Sequence, residues 1–138
     1  MKTIMPLEIQ KIGNGYNIFC RVHIRKKQYR MMVDTGSSVT LFEFKIHKEL
    51  TNNELEDNGT SFSFNNVSIE SKSFILEKMR MGNIEEDNIK IVLIDLDSFN
   101  MNYKSMGLPK IDGILGGDVL FKFGSIINYD KREMILFH

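Results

Sequence analysis

Met31-Met32-Val33-Asp34-Thr35-Gly36-Ser37-Ser38 is an apolar strand that runs straight into an acidic loop of small residues. A carboxylate serves as general base on a water only when it is held in place with a partner acid nearby, and small residues let backbone N–H groups come close to it. Gly36 removes the steric bar to that approach. The Ser37 hydroxyl is expected to donate to the outer oxygen of Asp34, and the Thr35 hydroxyl to tie the loop to a neighbouring one. An isolated Asp-Thr-Gly also suits a plain strand-ending turn, so the flanking sequence decides.

Upstream, Ile18, Cys20, Val22 and Ile24 alternate with Asn17, Phe19, Arg21 and His23, the period of a half-buried strand. Gly13-Asn14-Gly15 is a hairpin turn joining it to an earlier strand over 7–12, and Arg25-Lys26-Lys27-Gln28 is a charged turn leading to a strand over 29–33. Downstream, 39–44 reads as a short strand and 44–50 as one helical turn or two. Phe62 and Phe64 alternate with Ser61 and Ser63, and Val67, Ile69 and Phe74 follow, so a second hairpin is expected around Asn65-Asn66. Further strands are expected over 72–81 and 89–94, with a turn at Gly82-Asn83, and 97–110 reads as a polar loop. Asp112 to Gly117 is a strand ending in glycines, Asp118 caps a short helix that Gly124 stops, and two last strands flank a turn at 130–132. The absence of Ala and the abundance of Ile, Val, Phe, Tyr and Thr disfavour helix. The fold class is therefore all-β, one domain over 1–138 with one or two short helices.

Eighteen Lys plus Arg balance eighteen Asp plus Glu, which gives no electrostatic case for a nucleic-acid or anionic-membrane partner. The one cysteine, Cys20, cannot form an internal disulfide and reads as a small buried apolar side chain. Pro6 and Glu8 break the N-terminal apolar stretch short of a signal-peptide core, and no run approaches the roughly 18 apolar residues of a membrane-crossing helix. A reducing cytoplasm is the expected compartment.

Val33-Asp34-Thr35-Gly36-Ser37-Ser38 resembles the active-site loop of pepsin-type and retropepsin-type aspartic proteases. Ile114-Leu115-Gly116 is similar to the hydrophobic-hydrophobic-Gly strand that threads beside that loop in this family, and Asp118-Val119-Leu120 opens the short helix expected after it. From about Pro6 to Phe137 the chain resembles the small bacterial retropepsin-like peptidases. The resemblance implies a closed acid-protease barrel, with Asp34, Thr35 and Gly36 catalytic and Ser37, Ile114, Leu115 and Gly116 supporting. The substrate-covering flap would be the hairpin carrying Phe62, Phe64, Asn65, Asn66 and Val67, which here lacks the family's glycines.

A bilobal enzyme needs two such loops, and this chain carries one, so the resemblance implies a two-fold homodimer in which two copies of Asp34 meet. One Asp34 would be ionised and activate a water, the other protonated and polarising the carbonyl of a peptide or protein substrate, with no covalent intermediate, metal or cofactor. The Arg and Asp that brace the loop in retroviral members are replaced by Gly117 and Val39. Interleaved terminal strands, over 1–10 and 133–138, are the expected substitute in holding the dimer.

Other signals carry less. His23, His47 and His138 have no spacing that converges on a metal. Asp95-Leu96-Asp97-Ser98-Phe99-Asn100 begins like a calcium loop, but Phe99 takes a ligand position and Asn100 the place of the required glycine. Two functional classes stay open: an aspartic endopeptidase, favoured by the intact Asp34 loop, and a catalytically silent peptide-binding or dimerisation module, favoured by the glycine-free hairpin.

Overall fold

The computed structural model describes residues 1–57, 62–64, 67–69 and 71–138, with backbone alone at 57, 62–64 and 67–69. It opens with β1 (Lys2–Pro6), β2 (Glu8–Ile12), β3 (Gly15–Ile24) and β4 (Lys27–Val33). The expected turn at Gly13-Asn14 joins β2 to β3, with Ile12 opposite Gly15 and Gly13 at φ +59°, a conformation glycine adopts without strain. On β3 the residues Ile18, Cys20, Val22 and Ile24 all turn inward.

After the Asp34 loop come β5 (Leu41–Glu43), a 3₁₀ turn over Phe44–Ile46 and the single-turn α1 (His47–Leu50). Then follow β6 (Glu56–Asp57), β7 (Phe62–Phe64), β8 (Val67–Ile69), β9 (Lys72–Met81) and β10 (Ile84–Ile94). The chain ends with α2 (Asp97–Ser105), β11 (Gly113–Leu115), α3 (Gly117–Lys122), β12 (Ile126–Asn128) and β13 (Glu133–Phe137).

Six strands close a barrel in the order β3-β4-β11-β5-β10-β9, sealed where His23 of β3 faces Arg80 of β9. The short β11 lies parallel to β4 and antiparallel to β5, so it is buried on both faces. Leu115 packs with the main core of Val22, Met31, Phe42, Phe74, Leu76 and Ile91. Ile114 joins a second cluster with Phe19, Met32, Leu41, Ile94 and Tyr103. Each such large side chain, fully buried, contributes about 1.5–3 kcal/mol.

The secondary structure departs from the sequence reading at several elements. The segment over 97–110, expected to be a polar loop, contains α2, so the described residues hold three short α-helices and a 3₁₀ turn where one or two helices are expected. Asn and Ser are poor helix formers, but Asn100 exchanges two hydrogen bonds with the Ile111 backbone, at 3.0 and 2.9 Å. Phe99 and Tyr103, one turn apart, contact each other, and Tyr103 also packs edge-on against Phe19. Tertiary packing holds this helix where local propensity does not.

β10 begins five residues earlier than expected, because the acidic run at its start pairs with β9 and Lys78 bridges to Glu85 and Asp87. Finally, the terminal strands expected to interleave between two copies pair with each other within the chain. β1 pairs with β13 inside one chain, and β12 takes the other edge of β13, so β13 has no edge left to exchange. No helix among the described residues is long and apolar enough to cross a membrane.

Candidate active site

Asp34 follows β4 directly, and its N–H donates to Leu115 O at 3.1 Å, so the loop leaves the barrel against the end of β11. The register of those two strands is fixed upstream by a two-way bond: Arg30 N donates to Asp112 Oδ2 and Asp112 N to Arg30 O, both at 2.8 Å. The Arg30 guanidinium is buried over the Phe19 ring and bonds Glu8 at 2.8 Å and Pro109 O at 3.2 Å. A buried charge is costly without such partners.

The loop is shaped by its own polar groups. Gly36 N donates to Asp34 Oδ1 at 2.8 Å and Ser37 N to Asp34 O at 3.1 Å. Asp34 is half-buried, whereas Thr35, Gly36 and Ser38 are exposed, so the carboxylate sits on an open face of the chain. Among the described residues the Thr35 side chain makes no hydrogen bond, so the expected tie to a neighbouring loop is not seen there.

Ser37 corrects the sequence reading. Its hydroxyl donates to Val39 O at 2.8 Å and not to Asp34. A loop that turns back within two residues presents a nearer acceptor than the carboxylate does. Ile114, Leu115 and Gly116 stand where expected, beside the loop, and Gly116 is needed there because a Cβ would overlap the Val39 carbonyl and sit 2.8 Å from Ser37 O. Gly116 is also the residue that precedes α3, which moves Asp118 into the first turn of the helix from the capping position expected for it.

Sequence reasoning missed Thr40. Its fully buried hydroxyl donates to Asp118 Oδ1 at 2.7 Å and accepts from Gly116 N at 3.1 Å. The one local signal was a threonine placed directly before the apolar Leu41-Phe42.

The hairpin expected from Phe62, Phe64 and Val67 is present in the backbone, with Phe62 opposite Ile69 and Phe64 opposite Val67. Asn65 and Asn66 lie outside the described residues. The carboxylates of Glu43, Asp95 and Asp97 come within 4.8 Å of one another. Both oxygens of Glu43 accept backbone N–H groups, from Lys45 and Leu96, while one oxygen of Asp95 accepts Asp97 N and one of Asp97 accepts Lys45 Nζ. His23 bonds Gln28, and His47 bonds the Asn53 carbonyl.

A family model described as aspartyl protease matches residues 20–119 of this chain. Among solved structures, the chain is similar to a retropepsin-like aspartic protease from Rickettsia conorii, with 20% identity, a TM-score of 0.63, and coverage of 99% of this chain and 89% of that one. It is also similar to the retroviral protease-like domain of Ddi1 from Leishmania major, with 8% identity, a TM-score of 0.50 and 81% of each chain covered. At these identities both likenesses speak for the fold. No curated protein is significantly similar to the chain.

Proposed function

This chain belongs to the aspartyl protease family, and from that premise we propose that it is an aspartic endopeptidase whose catalytic unit is a homodimer of the 1–138 domain. The observation that carries the reading is the Asp34 loop, a carboxylate aimed by Gly36 N at 2.8 Å and left on an open face. A module that only binds peptides or only dimerises has no use for a carboxylate held in this way.

The chemistry follows from bringing two such groups together. Two carboxylates about 3 Å apart do not both ionise, so the pair holds one proton. The ionised Asp34 takes a proton from water as its oxygen attacks the peptide carbonyl, and the protonated Asp34 of the other copy gives its proton to the carbonyl oxygen. The resulting gem-diol breaks its C–N bond once the nitrogen is protonated, releasing an acid and an amine.

Thr35 and Gly36 are assigned to the catalytic loop, with Ser37, Ile114, Leu115 and Gly116 supporting it. The β7–β8 hairpin, bearing Phe62, Phe64 and Val67 with Asn65 and Asn66 between the strands, is assigned to cover an extended peptide substrate. The single thiol, buried and unpaired, fits a reducing compartment, and the cytoplasm is the proposed setting.

The test is digestion of an unstructured protein and of a peptide library by purified wild type and Asp34→Asn, read by mass spectrometry. Cleavage by the wild type alone is the expected result. Equal cleavage by both proteins, or by neither, removes the reading and leaves the silent module.

A further inference from the structure

The catalytic loop has a side-chain clamp that the retroviral Arg–Asp brace does not account for. Between Asp34 and β5 the loop is docked on the segment joining β11 to α3 by backbone bonds, Gly117 N to Ser37 O at 2.7 Å and Asp118 N to Ser38 O at 3.1 Å. One side-chain network closes it at Thr40. The Thr40 hydroxyl is 0% exposed and uses both its functions, accepting from the buried Gly116 N at 3.1 Å and donating to Asp118 Oδ1 at 2.7 Å. The second carboxylate oxygen of Asp118 accepts Thr40 N at 3.1 Å, and Oδ1 also accepts Val119 N at 2.8 Å. Asp118 thus takes three donors, and among the described residues no Lys or Arg pairs with it.

The network bridges the two segments that hold the loop, 76 residues apart between Thr40 and Gly116 and 78 between Thr40 and Asp118. Gly116 lets the loop backbone approach so closely that a Cβ would overlap Val39 O. Close packing limits how near the segments come, and the Thr40 hydroxyl fixes how they are aligned. Loss of the hydroxyl would leave Gly116 N buried without a partner, which strains this docking and no other part of the barrel.

We propose that Thr40, oriented by Asp118, is the positioning residue of the Asp34 loop, holding it in the one alignment in which two copies can present their carboxylates to a shared water. The kinetic part of this inference rests on the peptidase reading; the structural part does not.

The experiment compares Thr40→Val, which keeps the shape and removes the hydroxyl, with Thr40→Ser, which keeps the hydroxyl, in the full chain. Hydrogen exchange of the Gly116, Gly117 and Asp118 amides is measured alongside kcat and KM for a peptide that the wild type cleaves. In Thr40→Val these amides should exchange at least about tenfold faster, and kcat should fall by about 10²-fold with KM within about threefold. Thr40→Ser should restore both.

Folded Thr40→Val with wild-type amide protection overturns the proposal. Equal loss of kcat in Thr40→Val and Thr40→Ser also overturns it, since the hydroxyl is then not the group at work. If Thr40→Val does not fold, the exposed Asp118→Ala decides by the same amides: faster exchange supports the clamp and unchanged exchange removes it. A wild type that cleaves nothing, together with the exchange effect, supports the clamp and overturns the peptidase reading alone.

Discussion

The N–H of Gly36 donates to Oδ1 of Asp34 across 2.8 Å, so the acid is aimed by the backbone of its own loop. Asp34→Asn keeps a carbonyl oxygen for that N–H and removes only the charge. Peptide cleavage should fall by about 10²–10⁴-fold, the range of a lost general base. The thermal midpoint, followed by circular dichroism, should stay near that of the wild type. Wild-type turnover in this variant would place the chemistry elsewhere.

Two glycines of the site separate catalysis from folding. A Cβ at Gly36 would lie 3.1 Å from Asp34 Oδ1, which is the end of a side chain and can move by a few tenths of an ångström. At Gly116 the obstacles are the backbone oxygens of Val39 and Ser37, and these cannot move without parting the loop from β11. Gly36→Ala should therefore lose rate with its denaturant midpoint nearly unchanged, whereas Gly116→Ala should lose about 3 kcal/mol of stability. The order of the two midpoints checks this.

What was legible in the sequence was local. Alternation located the inward face of β3, the glycines marked the turn after β2, and only the family resemblance of Asp34-Thr35-Gly36 and Ile114-Leu115-Gly116 set β11 beside the loop. What was not legible depends on distant partners. α2 carries poor helix formers and is held by Asn100 on Ile111 and by aromatic contacts among Phe99, Tyr103 and Phe19. The pairing of β1 with β13 joins opposite ends of the chain. The Thr40–Asp118 bond spans 78 residues, and neither residue marks itself as the other's partner. The acceptor of the Ser37 hydroxyl was not legible because spacing shows which groups are near but not which acceptor is nearest.

The Ser37 hydroxyl bonds the loop backbone and leaves the Asp34 carboxylate alone. Ser37→Ala should therefore loosen the turn at Val39 and lower kcat with KM within about threefold, while Ser37→Thr, which keeps the hydroxyl, should restore it. A kcat in Ser37→Ala equal to that of the wild type would show that this bond does not hold the loop.

Cys20 gives a stability test independent of catalysis. Burial pushes its thiol up to about 12, whereas an unfolded cysteine titrates near 8.5. The folded chain thus holds this proton where the unfolded chain releases it. The contribution is whole below pH about 8.5 and declines above it by up to about 1.4 kcal/mol per pH unit until the folded value is reached. Urea midpoints at pH 7, 9 and 10 should fall more steeply for the wild type than for Cys20→Ala. The native thiol should also stay unreactive toward a soluble disulfide at pH 8 until denaturant is added.

The last expectation concerns concentration. One chain has one Asp34 loop, and its Thr35 and Gly36 lie exposed on an open face. If the second carboxylate comes from another copy, the active species is the dimer. Below the dissociation constant the dimer concentration falls with the square of total protein, so activity per milligram should fall in proportion to concentration, while well above it activity per milligram is constant. Sedimentation velocity over the same range should place the bend in the activity curve where half the protein is dimeric. Excess Asp34→Asn chain provides a second check, because it converts wild-type chains into mixed dimers with one ionisable carboxylate at the water. Residual activity should then follow the statistical fraction of wild-type pairs. Activity strictly proportional to protein in a species that sediments as a monomer, and unaffected by the added variant, would rule out the paired site.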